Sequence, residues 1–367
     1  MRRAWAATRK GLIELQQDGA GDSPSWRIVR TSFLAEPVSM LLPATDRTPM
    51  IAALNLGHFG VKCHASDDGG ITWREIATPA YPPQPEASIL AEGEKPDIAW
   101  KLQQIWSLAA ADGVIWAGTL PGGLFRSADG GQSWQLIESL WNRSERRGWF
   151  GGGYDAPGIH SICLDPRNTR RIILGISCGG AWISEDGGAS WAQRSTGMRA
   201  GYMPPEQAYE PNTQDPHAIA HCHASPDVLW CQHHSGIFRS TDAGKQWQEI
   251  VAPITSFGFA VAAHPLDADT AWFAPATADQ KRVPVDGALF VHRTRDGGQT
   301  FEALRTGLPQ KDCYDLIYRH GLAVSNDGQH LLMGSTTGNL WASGDAGDSW
   351  HSVSSNLPTI YALRFET

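Results

Sequence analysis

The sequence has 367 residues and a formal net charge of −8 at pH 7, with 30 Lys and Arg against 38 Asp and Glu. This excess of acidic residues argues against the Lys- and Arg-rich surface of a nucleic-acid-binding protein, so we expect no nucleic-acid partner. No stretch approaches the roughly 18 apolar residues of a membrane-spanning helix, and the basic N-terminus lacks the apolar run of a secretory signal. We therefore expect no membrane partner. The sequence leaves the oligomeric state open.

The cysteines indicate the redox compartment. All six, at positions 63, 163, 178, 222, 231 and 313, are scattered without a CxxC pair. Most lie in predicted strands, which favours reduced, buried thiols and a cytoplasmic protein.

The first predicted element is a strand hairpin at residues 11–15 and 25–29, joined by a degenerate turn. Trp26 lies 47 residues before Trp73, which closes the next hairpin. A four-stranded repeat unit needs roughly 40–50 residues, so this spacing predicts a first repeat that starts at the N-terminus.

From residue 66 onwards an eight-residue pattern recurs, Ser-x-Asp-x-Gly-x-Ser/Thr-Trp. Its six copies are 66–73, 127–134, 184–191, 240–247, 294–301 and 343–350, with Gln246 and Phe301 as departures. Each copy lies between two apolar runs, which predicts a turn joining two strands. The Asp side chain accepts backbone N–H groups there, and the glycine supplies positive φ. We predict that these aspartates are structural rather than catalytic.

The chain around the second copy shows how one repeat is built. Apolar runs follow one another at 105–109, 114–118, 124–127 and 133–137. A four-stranded sheet of this kind cannot bury both faces alone, so copies must stack around an axis. The aromatic residues that end successive copies are 61, 57, 56, 54 and 49 residues apart, which fits one repeat plus loop insertions.

The last predicted strand, 360–365, follows the final copy and has no repeat of its own. Assigning it to the N-terminal repeat ties both chain ends into one sheet and removes an exposed edge. We therefore predict an all-β fold, a single seven-bladed β-propeller over residues 1–367 with four-stranded antiparallel blades. Long insertions at 79–104, 139–158, 195–216 and 275–287 are expected on the face opposite the repeated turns, where function would reside.

The six copies match the Asp-box motif, or bacterial neuraminidase repeat, and the chain resembles Asp-box β-propellers over nearly its whole length. That group includes sialidases, xyloglucan-cleaving endoglucanases, sortilin-type receptors and photosystem II assembly factors. The chain lacks the Arg-Ile-Pro signature of sialidases, and xyloglucan endoglucanases build a cleft between paired propellers. The resemblance therefore implies the fold and leaves both an enzyme and a non-catalytic assembly module open.

The repeats can be aligned by the distance from the innermost strand to the second strand. This alignment places four residues at the start of innermost strands: Trp106, His160, His217 and Phe259. Turns between second and third strands open on the same side and add His58, His233 and His234. Five histidines therefore point to one region at the channel mouth.

The histidines have more than one interpretation. Imidazoles from adjacent blades could hold a divalent transition metal, with the candidate ligands His58, His160, His217 and His234. Carboxylates such as Asp155 or Asp215 would lie nearby. Alternatively, His160 or His217 could act as a general acid or base on a bound ligand. A third interpretation is a set of hydrogen-bonded side chains that line a wet channel.

Carboxylates on the same loops could serve glycoside hydrolysis, which needs two of them roughly 5–10 Å apart across the scissile bond. The acids available are Glu86, Asp155, Glu206, Glu210, Asp215, Asp286 and Asp315. With His160 and His217, we take Asp155 and Glu206 as the candidate catalytic residues.

Aromatic and basic side chains near these loops could bind a sugar-like ligand, because aromatic plates hold sugar rings and arginines hold carboxylates or phosphates. The candidate ligand-binding residues are Trp106, Arg147, Trp149, Tyr154, His234, Phe259, Arg282 and Tyr314. Our first hypothesis is a glycoside-hydrolase-like enzyme acting on a small-molecule or carbohydrate ligand. The alternatives are a histidine-ligated metal-dependent hydrolase or lyase, and a non-catalytic protein-binding propeller.

Overall fold

The computed structural model describes residues 2–18, 25–85 and 98–366. The chain forms seven four-stranded antiparallel sheets. Each innermost strand contacts the innermost strand of the next sheet, and the last contacts the first, so the sheets are the seven blades of a closed ring. The predicted all-β, seven-bladed propeller is confirmed.

The blades follow one another along the chain, and each is built from the innermost strand outwards. Blade 1 comprises Ile360–Phe365, Arg2–Thr8, Gly11–Asp18 and Ser25–Ser32. Blade 2 comprises Val38–Leu42, Met50–Asn55, Val61–Ser66 and Arg74–Ile76. Blade 3 comprises Gln104–Ala111, Val114–Leu120, Leu124–Ser127 and Gln135–Leu136. Blade 4 comprises Gly158–Leu164, Ile172–Ser177, Gly180–Ser184 and Ala192–Gln193.

The remaining blades have the same order. Blade 5 comprises Pro216–Cys222, Ser225–His233, Gly236–Ser240 and Gln248–Ile250. Blade 6 comprises Gly258–Ala263, Ala271–Pro275, Val291–Thr294 and Glu302–Leu304. Blade 7 comprises Leu322–Val324, Leu331–Gly334, Leu340–Ser343 and His351–Ser354.

Among the residues that the structure describes, helical structure is confined to short segments in the connections. One α-helical turn spans Glu138–Trp141. The 3₁₀ turns are Gly57–Phe59, Ser144–Gly148, Pro205–Gln207, Pro211–Thr213 and Val285–Gly287. Within the described ranges, no helix has the length and apolar character needed to cross a bilayer.

The ring closes through the two ends of the chain. Ile360–Phe365 pairs antiparallel with Arg2–Thr8, and Leu363 lies opposite Ala6. Both side chains are fully buried. The C-terminal strand is therefore the innermost strand of the N-terminal blade, as the sequence predicts.

The apolar core lies between neighbouring blades. Blades 4 and 5, for example, share a cluster that includes Ile173, Leu229, Phe238 and Trp247. Each blade thus buries both faces against its neighbours, which a single four-stranded sheet cannot do in water. All six cysteines are buried free thiols, as expected, and the cytoplasmic location stays a prediction.

The repeated turns follow one pattern of hydrogen bonds. In blade 3 the Ser127 hydroxyl donates to Asp129 Oδ1 over 2.7 Å and accepts the Gly131 N–H over 2.9 Å. The other carboxylate oxygen accepts the Ser133 hydroxyl. Gly131 has φ +87°, which favours glycine, and an added Cβ would lie 2.6 Å from Ile76 of the preceding blade. These aspartates therefore have the structural partners that the sequence predicts.

In three of the repeated turns, the tryptophan at the end joins its blade to the preceding one. Trp134 Nε1 donates to the Ala77 carbonyl over 2.9 Å, and Trp247 Nε1 donates to the Arg194 carbonyl over 2.8 Å. Trp73 Nε1 reaches Ser32 Oγ in the same way. These three turns therefore stabilise both their own hairpins and the contact between two blades.

The buried serine of a turn should contribute more to stability than the exposed one. Ser127→Ala leaves the buried Gly131 N–H without its partner, so we expect the free energy of unfolding to fall by about 1–3 kcal/mol. Ser133 is exposed, and water can replace its hydroxyl, so Ser133→Ala is the matched control with a smaller loss. Urea unfolding of both variants measures the difference, and equal losses would contradict this account.

Candidate functional site

Six blades carry a β-bulge near the start of the innermost strand. In blade 4, Ile159 pairs with Ile176 and Ser161 with Gly175, which leaves His160 between them without a paired residue. The bulged residues are Ser39, Trp106, His160, His217, Phe259 and Tyr361. A bulge inserts one extra residue and re-aims its side chain, often beside a functional site. Four of the six are the residues that the sequence alignment places at the start of innermost strands.

Four bulged residues line a cavity of about 460 Å³: Ser39, Trp106, Phe259 and Tyr361. The rest of its lining comes from segments that precede innermost strands and from turns between second and third strands, including 152–154, Arg282 and 318–320. A volume of this size suits a small ligand. The cavity is therefore the candidate functional site.

Aromatic side chains form much of the cavity wall. The Trp106 and Tyr154 rings meet edge to face with centroids 5.1 Å apart, and the Phe259 and Tyr318 rings do so at 5.0 Å. Tyr154 is 47% exposed, so its ring is open to solvent at the rim. Such surfaces can pack against the apolar face of a sugar ring or another flat polar ligand.

The charged groups of the cavity wall are all basic. Arg9, Arg282 and Arg319 line it, and none of its described lining residues is Asp or Glu. Arg282 is paired with Asp279 over 2.6 Å. Arg319 is different, because no carboxylate of a described residue lies within ion-pair distance of its guanidinium.

Arg319 is held by aromatic rings rather than by hydrogen bonds. Its guanidinium carbon lies 4.6 Å from the Trp106 ring centroid and 5.8 Å from that of Phe259. The residue is only 8% exposed, and neither Nε nor Nη2 has a hydrogen-bond partner. Burial lowers the pKa of the guanidinium from its usual value, and Asp215 opposes that shift. An arginine remains charged at neutral pH, so the cavity contains a buried cation with free donors.

A second polar group adjoins the cavity. The Asp215 Oδ2 atom lies 3.4 Å from His217 Nε2 and 3.6 Å from His234 Nδ1, and the three atoms are mutually within 4.8 Å. The His217 ring stacks on Phe259 at 4.5 Å, and a Cβ added to the cavity residue Gly152 would lie 2.7 Å from Asp215 Oδ2. We call Asp215, His217 and His234 the Asp-His-His cluster.

Hydrogen bonds orient the two buried members of the cluster. His217 Nδ1 lies 2.7 Å from the Gly258 carbonyl, which can only accept, so this nitrogen carries the proton and Nε2 faces Asp215. The other oxygen of Asp215 accepts the Ser177 hydroxyl and the Cys178 N–H. Burial lowers the pKa of His217, although Asp215 opposes the shift.

The backbone of His160 accepts a hydrogen bond from the opposite side of the channel. His320 of blade 7 donates from Nε2 to the His160 carbonyl of blade 4 over 2.8 Å. The His160 ring meets Trp106 edge to face at 5.5 Å and is almost fully buried. Burial first, and then Arg319, places the pKa of His160 well below 6.5. His160 is therefore a neutral, enclosed imidazole.

The structure brings together only part of the predicted site. Trp106, Tyr154, Phe259 and Arg282 line the cavity, while His217 and His234 belong to the adjacent cluster. Trp149 is buried, and its ring packs against Trp182 at 5.7 Å. Exposed side chains that neither line the cavity nor join the cluster are His58, Arg147, Asp155, Glu206 and Tyr314. Glu86 lies outside the described residues.

Arg319 is the main residue that the sequence analysis did not select. It precedes Leu331, the first residue of a second strand, by 12 residues, just as His160 precedes Ile172 and Phe259 precedes Ala271. The same 12-residue spacing could therefore have identified Arg319 from the sequence. The alignment selected histidines and aromatic residues, and blade 7 has neither at that position.

Comparisons with known proteins concern the fold. No protein-family model matches the sequence, and no curated protein matches it. The chain is similar to a GH74 xyloglucanase from Xanthomonas campestris, with 17% identity, a TM-score of 0.60, and coverage of 95% of this chain and 52% of that one. It is also similar to YCF48 bound to D1 peptide, with 13% identity, a TM-score of 0.54, and coverage of 89% and 85%.

An ancestral GH74 enzyme is a third similar structure, with 15% identity, a TM-score of 0.56, and coverage of 90% of this chain and 38% of that one. These likenesses show the propeller fold. The chain spans about half the length of the Xanthomonas enzyme and a smaller part of the ancestral one. At identities this low, similarity of fold does not show a shared activity.

Buried histidines should make the protein less stable in acid. Burial lowers the pKa of both His233 and His320 from 6.5 to about 3. Below pH 6.5 the unfolded chain therefore gains protons that the folded protein does not take up. Each histidine then lowers the free energy of unfolding by about 1.4 kcal/mol per pH unit, until the pH nears the folded value.

His320→Asn tests this expectation, because an Asn amide can still donate to the His160 carbonyl but does not titrate. Urea unfolding between about pH 4 and 7 should give a shallower pH dependence for the variant than for the wild type. Identical slopes would show that His320 does not contribute.

Proposed function

We propose that the protein binds a small anionic, sugar-like ligand in the cavity at the channel mouth. The observation that carries this proposal is Arg319, a nearly buried cation on the cavity wall whose Nε and Nη2 atoms lack hydrogen-bond partners. A buried charge is costly unless it is paired. A carboxylate or phosphate of the ligand would supply both the counter-charge and the acceptor atoms.

The remaining lining supports the same class of ligand. Arg9 adds positive charge, and Arg282, although paired with Asp279, offers further N–H donors; no described Asp or Glu lines the wall. Trp106 and Tyr154 offer aromatic surface to a ring, while the Asn55 and Gln104 amides can meet hydroxyl groups. Sugar acids and sugar phosphates combine these features in one small molecule.

The reaction is a separate question from binding. Two similar structures are GH74 glycoside hydrolases, and a glycoside-hydrolase-like activity agrees with them. The two-carboxylate mechanism, however, needs acids across the bond. Asp155 and Glu206 are exposed outside the described cavity lining, so catalysis by this pair stays a prediction. YCF48, another similar structure, is bound to D1 peptide, and a non-catalytic receptor would use the same cavity without turnover.

The repeated turns support a narrower family assignment. Their Ser-x-Asp-x-Gly pattern and the hydrogen bonds of Ser127, Asp129 and Ser133 agree with the Asp-box class. We therefore assign the protein to Asp-box propellers as part of this proposal.

Calorimetric titration with matched ligands tests the binding proposal. The panel pairs neutral sugars with the corresponding sugar acids and sugar phosphates, and we expect only the anionic members to bind. Arg319→Gln should weaken binding roughly 10- to 100-fold, because a charged hydrogen bond contributes about 1.5–3 kcal/mol.

Arg74→Gln is the control, because Arg74 lies on the outermost strand of blade 2 and pairs with Asp67. It should bind as the wild type does. Preferential binding of neutral sugars, or equal affinity in Arg319→Gln and the wild type, would overturn the proposal. Release of product from aryl glycosides of any sugar that binds then separates an enzyme from a receptor.

A further inference from the structure

The Asp-His-His cluster has the donor set of a metal centre, and we propose that it binds one divalent transition-metal ion of the zinc or iron(II) class. The ligand atoms would be Asp215 Oδ2, His217 Nε2 and His234 Nδ1. This proposal does not depend on the anionic ligand, because none of the three residues lines the cavity. It also differs from the ligand set predicted from sequence, which contains His58 and His160 and has Asp215 only as a nearby carboxylate.

The spacing of the three atoms fits a metal ion. Zinc bonds of about 2.0–2.1 Å in tetrahedral geometry place neighbouring ligand atoms roughly 3.4 Å apart. The Asp215 oxygen lies 3.4 Å from one imidazole nitrogen and 3.6 Å from the other. These distances exceed those of ordinary hydrogen bonds, so the groups surround a space rather than bond directly to one another.

The proton positions leave lone pairs directed at that space. The Gly258 carbonyl requires a proton on His217 Nδ1, so the Nε2 atom of the neutral ring presents a lone pair to the Asp215 carboxylate. Two acceptors facing each other in a buried site repel. A cation between them would satisfy both, and the neutral imidazole nitrogen is the form that binds metals.

The groups around the cluster also resemble those of metal sites. Metal-binding histidines usually donate the other ring N–H to a carbonyl or carboxylate, and ligating carboxylates are themselves hydrogen-bonded. His217 has the Gly258 carbonyl in that role, and Asp215 Oδ1 accepts from Ser177 and Cys178. The second oxygen of Asp215 is left for the ion.

The chemical types of the three ligand groups indicate which metal ion the cluster binds. Two imidazoles and one carboxylate suit zinc or non-haem iron(II), whereas magnesium and calcium prefer all-oxygen sites. Three protein ligands leave at least one coordination position for water or a substrate atom, which is typical of catalytic rather than structural zinc. His234, whose side chain is 21% exposed, marks the accessible side of the cluster.

Metal titration of the purified full-length chain tests the proposal. The protein is stripped with a chelator, dialysed, and titrated with Zn²⁺, Co²⁺, Mn²⁺ and, without oxygen, Fe²⁺. We expect one ion per chain by elemental analysis, and a visible spectrum of the Co²⁺-loaded protein that reports nitrogen and oxygen ligands. His234→Ala should weaken binding by more than the roughly 10- to 100-fold that loss of an outer partner costs.

His58→Ala is the matched control, since His58 is exposed and lies outside the cluster. It should bind metal as the wild type does. Asp215→Asn tests the carboxylate, and circular dichroism shows whether this buried variant folds. Because His234 is partly exposed, its variant decides the matter if Asp215→Asn does not fold.

Three outcomes would overturn the proposal. The first is the absence of stoichiometric binding for all four ions. The second is equal affinity in His234→Ala and the wild type, and the third is loss of binding in His58→Ala. Each can be distinguished from failure of the anionic-ligand proposal, because the sugar titrations are run separately and depend on Arg319.

Discussion

The structure depends on the fact that a four-stranded sheet with two apolar faces needs a neighbour on each side. A linear stack would leave two faces in water, whereas a ring leaves none. Pairing of Ile360–Phe365 with Arg2–Thr8 achieves closure, and it does so with hydrogen bonds between the two ends of the chain. Three tryptophan side chains of the repeated turns, Trp73, Trp134 and Trp247, add a hydrogen bond from one blade to the preceding blade. Packing and closure therefore support each other.

Closure brings seven innermost strands together, and bulges near the start of most of these strands re-aim particular side chains. At each one, a single residue leaves the ladder and presents its side chain near the channel mouth, while pairing resumes on both sides. Trp106 and Phe259 thus become cavity walls, and His217 becomes part of the Asp-His-His cluster. The site is built by local irregularities in an otherwise regular scaffold.

Polar groups near the axis of the ring form hydrogen bonds from one blade to another. The Ser107 hydroxyl of blade 3 donates to the Ile159 carbonyl of blade 4 over 2.8 Å, and His320 reaches the His160 carbonyl across the channel. Buried polar groups need such partners because an unpaired one costs free energy. At the cavity, Nε and Nη2 of Arg319 have no such partner, and Asp215 Oδ2 faces His217 Nε2 at 3.4 Å. These are the two places where we propose that a ligand and a metal ion bind.

The sequence alone determined the all-β ring, its seven blades and its closure, because turn chemistry and the period of the repeat are local properties. It also selected Trp106, His217 and Phe259, since their distance to the second strand follows the repeat. It could not decide which loop residues meet: Asp155, Glu206 and Arg147 are exposed, whereas Asp215, one of several equivalent acids in the sequence, is buried against two histidines. Arg319, which precedes the first strand of blade 7, reaches Phe259 in the neighbouring blade 6 and Trp106 in blade 3 because the ring is closed. Such contacts join residues far apart in the chain, and they depend on tertiary geometry that no local pattern encodes.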